Sequence, residues 1–370
     1  MTDPERPYSQ QPVTVFGGSG FLGRYVVDAL AERNYRVRIA VRRPNLVGYP
    51  QAYGMVGQVQ AVQANLRYRH SIEQAVKGAG AVINLVGILH PTRRQTFEAV
   101  HVEGARMIAE AAAAAGARMI HVSAIGAARN SESAYARTKA EGEAAVINAH
   151  PDAVVVRPSL MFGPGDGLFN RFAALAQFLP VLPLAGADTR FQPVFAGDVA
   201  KAIARAVDGK VEGGRIYELG GPEVKTLREL VAYMLMVIRR RRLVMGLSPG
   251  LARAQAATME VLHVLSLGLL PDVLRLTRDQ VALLQHDNVV SDSARREGRT
   301  LEGLGITPTT IEAIVPPYLV RFRKKGQFDV QRDAALEAAP PDVIAPESAG
   351  PGSQFQPRRG AGPAIGERTR

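Results

Sequence analysis

Short apolar runs alternate with longer stretches of helical periodicity through the first half of the chain. "PVTVF" (12–16) precedes a helical pattern over 20–33. There follow "YRVRIAV" (35–41), "SIEQAVKG" (71–78), "AVINLVGI" (81–88) and "TFEAVHVEGARMIAEAAAAAG" (96–116), then "RMIHVS" (118–123), "AYARTKAEGEAAVINA" (134–149) and "AVVVRP" (153–158). Apolar runs bounded by Gly and Pro, separated by helical segments, predict repeated strand–helix–strand units and a parallel sheet. The runs are apolar on both faces, as in a sheet covered by helices on each side. The pattern therefore predicts an α/β, doubly wound parallel sheet over 12–158.

Beyond Pro158 the pattern changes. "SLMFGPGDGLFNRFAALAQFLPVLPLAG" (159–186) is rich in Gly and Pro. "GDVAKAIARAVDG" (197–209) reads as an amphipathic helix, "GRIYELGG" (214–221) as a returning strand, and "TLRELVAYMLMVIRRRR" (226–242) as a helix with a basic end. We expect a smaller mixed or helical domain over 159–330, with parts of 190–222 completing the sheet. From Ala338 onward Pro, Gly and Ala dominate without a periodic core face, so 331–370 reads as a disordered tail.

Composition narrows the chemistry. With 370 residues the chain can bury one large core or two modest ones. It has no cysteine, which excludes disulfides and thiolate metal sites, and its 7 histidines show no paired spacing, so no metal site is expected. "MTDPERPYSQQP" contains acids and prolines and no apolar run, and reads as neither a signal nor a transit peptide. A cytoplasmic protein is the expectation. The net charge of +11 favours an anionic partner. No interleaved aromatic signature accompanies the arginines, so nucleic acid is not expected.

"VTVFGGSGFLGRYVV" (13–27) places Gly17, Gly20 and Gly23 between an apolar strand and a helix. That context gives the triplet its meaning: Gly17 for the tight turn, Gly20 for close approach of backbone to a pyrophosphate, Gly23 for helix–sheet packing. The helix N-terminus adds free N–H groups and a positive dipole end, so Ser19, Phe21 and Leu22 join the expected phosphate site. An NAD-binding fold usually carries an acidic residue at the end of its second strand. Here "AVRRP" gives Arg42 and Arg43. Two guanidiniums suit a 2′-phosphate, so NADP(H) is expected over NAD(H). Asn65 and Leu66 are placed to flank an adenine, and Leu85, Val86 and Gly87 to run under the cofactor.

Tyr135 and Lys139 lie four residues apart, on one face of a helix. A nearby ammonium would lower the phenol's pKa toward working pH, and the same Lys can reach a nicotinamide ribose. Ser123 and Pro158 border the same pocket. The expected Ser or Thr partner falls on Ala124, just after Ser123, and a slip of one would restore it.

These motifs resemble the extended short-chain dehydrogenase/reductases, a Rossmann-type superfamily, in "GGSGFLG", "YARTK", "VVRPSLMFGPGD" and "FQPVFAGDVAKAI". More narrowly, "VSAIGA", "PSLMFG", "QPVFAGDVA" and the segment 287–322 resemble the nucleotide-binding accessory subunit of respiratory complex I (NADH:ubiquinone oxidoreductase) and its bacterial relatives. The likeness runs from Val13 to Phe328. It implies a bound NADPH without turnover, serving assembly or stability of a membrane complex. Ala124, and His101 where an Asn commonly sits, are the departures that agree with it. An active reductase, epimerase or dehydratase is the alternative.

The stretches 227–250 and 259–276 are apolar yet too short or interrupted to span a bilayer. Arg239 to Arg242 and Arg321 to Lys325 flank them with positive charge. Such a surface fits anionic lipid at the cytoplasmic face of an inner membrane, or a helical cap over a pocket.

Overall fold

The computed structural model describes residues 11–48, 54–92, 95–265 and 277–324, without the side chains of 259–265. The expected tail at 331–370 and most of the apolar stretch 259–276 lie outside the described residues.

In chain order the first half contains β1 (Val13–Phe16), α1 (Phe21–Ala31), β2 (Val37–Val41), β3 (Val59–Gln63), α2 (Arg69–Val76), β4 (Ala81–Asn84), α3 (Gly104–Ala114), β5 (Arg118–Val122), α4 (Ala134–Ala149) and β6 (Val154–Pro158). The second half contains β7 (Met161–Phe162), α5 (Phe169–Phe178), β8 (Val181–Ala185), β9 (Arg190–Phe191), β10 (Val194–Phe195), α6 (Ala196–Val207), β11 (Ile216–Leu219), β12 (Lys225–Thr226), α7 (Leu227–Val237), β13 (Leu243–Leu247), α8 (Pro249–Leu265), α9 (Arg278–Leu283), α10 (Asp292–Arg296) and α11 (Ile311–Leu319).

Seven parallel strands form one sheet in the order β11-β6-β5-β4-β1-β2-β3. The order reverses between β1 and β4, the crevice where doubly wound sheets bind ligands. Alternation explains why the strands read as apolar throughout. Val13, Val15, Ile39, Ile83 and Ile120 pack toward α1 and α6, whereas Phe16, Val82 and Met119 pack toward α2 and α3. β11 arrives from the second half and extends the edge beside β6.

A second core lies among α5, β8, α7 and α11, with Phe162, Phe169, Leu182, Leu230, Met234 and Val315 buried. The expectation of a helix running through 226–242 fails here. α7 stops at Val237, and Arg239 turns left-handed at φ 54. The arginines then bond carbonyls at the ends of other helices: Arg240 Nε to Phe322 O at 3.0 Å and Arg242 Nε to Ala176 O at 2.8 Å. They terminate helices and do not extend one. No described helix is long and apolar enough to cross a membrane.

Candidate nucleotide site

The turn after β1 is built by its glycines. Gly17 adopts φ 77, and a Cβ there would lie 3.1 Å from the backbone of Leu85 and Val86. A Cβ on Gly23 would lie 2.4 Å from Gly18 O, so only glycine lets α1 start this close to the loop. Gly20 precedes the helix with no side-chain cap, and no acid occupies the first turn. Ser19 and Gly20 are exposed, while Leu22 is buried in the core, leaving its backbone N–H as its only route to a phosphate. Phe21 packs edge-on against Tyr25.

Arg42 and Arg43 follow β2 directly and are both exposed, beside the strand that carries the glycine turn. Asn65 is committed to its own turn: its Oδ1 accepts from Arg67 N–H at 3.2 Å, and its N–H donates to Ser71 Oγ at 2.9 Å. Leu66 leans on α3, where a Cβ on Gly104 would meet its Cδ1 at 3.0 Å. Beyond β4, Val86 N–H donates to Asn84 Oδ1 and Ile88 N–H to His101 Nε2, which fixes the path of Leu85, Val86 and exposed Gly87.

α4 brings Tyr135 and Lys139 to the same edge of the sheet. Arg157 on β6 grips Glu143 of this helix through two bonds of 2.8 and 2.6 Å. Lys139 is buried, and its Nζ donates to Val122 O at 2.8 Å. Burial pulls its pKa down to about 8, against the opposing pull of Glu143. Tyr135 packs edge-on to His101 at 5.4 Å and to Phe97 at 6.0 Å. Its pKa is pushed up to about 12, first by burial and then by Asp279. The expected acidification by Lys139 is therefore overturned: desolvation and a carboxylate favour the neutral phenol.

Two histidines stand beside Tyr135 and Lys139. His101 lies in a π-helical turn, Glu98–Glu103, ahead of α3. Burial and Lys139 push its pKa down to about 3, so it is neutral. Its Nε2 accepts from Ile88 N–H, so the proton sits on Nδ1 and donates to Thr138 Oγ1 at 3.1 Å. Both nitrogens are engaged. His121 is held well below its ordinary pKa by burial, then Lys139 and His101. Its Nδ1 accepts from Asn84 Nδ2, and its Nε2 is buried without a partner. Ser123 Oγ is also buried and unpartnered, on the alternation that turns Met119 and His121 toward the helices. Pro158, at the end of β6, is buried and its carbonyl accepts from Ile125 N–H.

Two residues outside the sequence reading bind the C-terminal segment onto this edge. Asp279 of α9 accepts from Ala134 N–H at 2.6 Å, Ser133 Oγ at 2.9 Å and Tyr135 N–H at 3.3 Å. Asn288 donates from Nδ2 to Ile125 O and accepts from Ser159 Oγ and Leu160 N–H. The only sequence signal was local: Thr277 and Gln280 form a capping box that starts α9.

Residues 13–220 match the family described as NAD dependent epimerase/dehydratase. The chain belongs to that family. Among this family member's relatives, the NADH dehydrogenase (ubiquinone) 1 alpha subcomplex subunit 9 of Arabidopsis thaliana mitochondria is 35% identical over 318 residues, 85% of this chain and 78% of that one. The mitochondrial NADH-ubiquinone oxidoreductase 40 kDa subunit of Neurospora crassa is 32% identical, over 86% and 81%. A ceramide reductase of Caulobacter vibrioides is 35% identical, over 65% and 73%. The Escherichia coli NADPH-dependent quinone oxidoreductase shares the fold, with a TM-score of 0.63 at 20% identity over 81% and 97%.

An NAD(P) dinucleotide suits the residues present. The glycine turn, the uncapped start of α1 and the orphaned Ser123 hydroxyl offer donors where its pyrophosphate and nicotinamide end would lie. When bound, the group supplies a hydride donor or acceptor. The chain's own part would then be to hold it and exclude water, with Tyr135 as the proton-bearing group beside it.

Proposed function

We propose that this chain is an NADP(H)-holding accessory or assembly subunit of respiratory complex I, the membrane-bound NADH:ubiquinone oxidoreductase, without turnover of its own. The observation that carries this reading is the environment of Tyr135. A proton donor in this position works best with a pKa near the operating pH and a second donor beside it. Tyr135 instead has burial and Asp279 raising its pKa to about 12, His101 locked by two hydrogen bonds, and Ala124 with no hydroxyl. The Arabidopsis and Neurospora relatives, named as subunits of that oxidoreductase, support the assignment of partner.

In this reading Gly17, Ser19, Gly20, Leu22 and Gly23 hold the pyrophosphate through backbone and hydroxyl, and Arg42 and Arg43 select the 2′-phosphate. Ser123, Lys139 and Tyr135 border the nicotinamide. The nucleotide-binding unit spans 12–158 and the helical unit 159–330, and the protein sits peripherally at the cytoplasmic face of the inner membrane. Native isolation followed by mass spectrometry of the released nucleotide tests it, together with copurification. NADP(H) in stoichiometric amount and co-elution with complex I are expected. A chain that elutes alone and empty from cells with intact complex I overturns the proposal.

A live reductase is the second reading, favoured by the buried, unpartnered Ser123 hydroxyl and by the Caulobacter relative named a ceramide reductase. Consumption of NADPH with a lipid or quinone-like carbonyl, lost in Tyr135→Phe, would establish it.

A further inference from the structure

Two basic clusters far apart in sequence meet at one end of the helical unit. Arg240 Nε donates to Phe322 O at 3.0 Å and Arg323 Nε to Val237 O at 3.0 Å, joining the ends of α7 and α11. Arg242 Nε reaches Ala176 O near the end of α5, and Leu243 N–H donates to Pro180 O. Three helix C-termini thus converge, and the guanidiniums satisfy carbonyls there that the helices leave unbonded. Arg241 and Lys324 are exposed around the junction. The acids of α7 and α11, Glu229 and Glu312, lie in the first turns, at the opposite ends.

Apolar side chains stand among these charges. Phe178 is 83% exposed, Met236 66%, Leu243 64% and Met245 47%. Leu243 and Met245 share one face of β13 by strand alternation, while Val244 packs against the core. A soluble surface normally scatters single apolar residues; Phe178, Met236 and Leu243 at one basic junction, with Met245 further along β13, mark an interaction face.

We propose that this junction docks on a membrane surface carrying anionic phosphate headgroups. Charge decides among occupants. A second copy would bring positive against positive. Nucleic acid would use the arginines but leave the Phe, Leu and Met side chains in water. A bilayer takes both: the cations meet phosphate and the apolar chains enter the acyl boundary.

This inference rests on the reading of the chain as a peripheral partner of a membrane complex, yet vesicle binding needs neither nucleotide nor complex I. The test is flotation of the full chain with vesicles of phosphatidylcholine, alone or mixed with phosphatidylglycerol, at low and high salt. Binding only to the mixed vesicles, weakening as salt rises, is expected. Arg241→Glu with Lys324→Glu should weaken it by about tenfold or more. Phe178→Ser with Leu243→Ser should weaken it while keeping the salt dependence. Melting temperature and the NADPH-induced shift serve as controls that each variant folds. Equal binding to both vesicle types, no binding, or binding indifferent to both variants overturns the proposal. So does a patch-dependent dimer, or capture by an acidic protein, without vesicle binding. If NADP(H) and complex I are found with a chain that ignores vesicles, only this inference falls.

Discussion

Asp279 accepts a hydrogen bond from Ala134 N–H at 2.6 Å, across 145 residues of sequence. The same carboxylate takes Ser133 Oγ and Tyr135 N–H, so it caps the helix that carries Tyr135 and Lys139. It also raises the Tyr135 pKa, second to burial. Asp279→Asn keeps the shape, removes the charge and leaves fewer acceptor sites. It should cost about 1–2 kcal/mol of stability and lower the Tyr135 ionisation midpoint from its value of about 12. Because burial is the larger cause, the midpoint should stay above that of an ordinary tyrosine. Ultraviolet difference titration reads it, with Tyr135→Phe identifying the signal; an unshifted midpoint would remove Asp279 from the account.

How much of this was readable beforehand depends on how local the cause is. α4 begins and ends where the text "AYARTKAEGEAAVINA" does, because Ser133 caps it and its face repeats regularly. The glycine turn was legible because Gly17, Gly20 and Gly23 sit between a strand and a helix. The π-helical turn at Glu98–Glu103 was hidden inside a continuous helical pattern, since it shifts the register without changing composition. The four arginines after Ile238 looked helical because arginine has high helix propensity. Their carbonyl partners Phe322 and Ala176 lie 82 and 66 residues away, where no local pattern reaches. Asp279 and Asn288 were missed for the same reason.

Arg42 and Arg43 are exposed beside the glycine turn, so their loss should not disturb the core. The Arg42→Ala, Arg43→Ala variant should bind NADPH about 10- to 100-fold more weakly, the scale of charge-assisted bonds. NADH binding should change little, and melting temperature without nucleotide should stay the same. Calorimetry with both nucleotides measures the ratio; equal losses would refute the 2′-phosphate assignment.

Gly142 packs α4 onto the π-helical turn, where a Cβ would lie 2.0 Å from His101 O. Backbone on both sides leaves nothing soft to yield. Gly142→Ala should destabilise by about 1–3 kcal/mol, the usual cost of overpacking. It should also shift Tyr135 and Lys139 away from the His101 side, weakening nucleotide binding. Denaturant melts and NADPH titration check both; unchanged values would mean the helix moves freely over this contact.

Lys139 supplies a signed pH dependence. Its pKa is about 8 in the fold against an ordinary 10.5, with burial as the larger cause. Between those values the unfolded chain holds a proton that the folded chain has released. Unfolding then takes up a proton, so this group makes stability rise with pH across that window. Below about 8 both states are protonated, and the burial penalty is present in full. Tyr135 acts oppositely: the fold keeps its proton to about 12, so its contribution falls from pH 10 upward. The two windows barely overlap. Lys139→Met should flatten the rise between pH 8 and 10 while leaving the Tyr135 decline in place. Denaturation at closely spaced pH values for wild type and variant measures the difference between the curves. A difference that does not grow across that interval would mean Lys139 is not held at the depressed pKa.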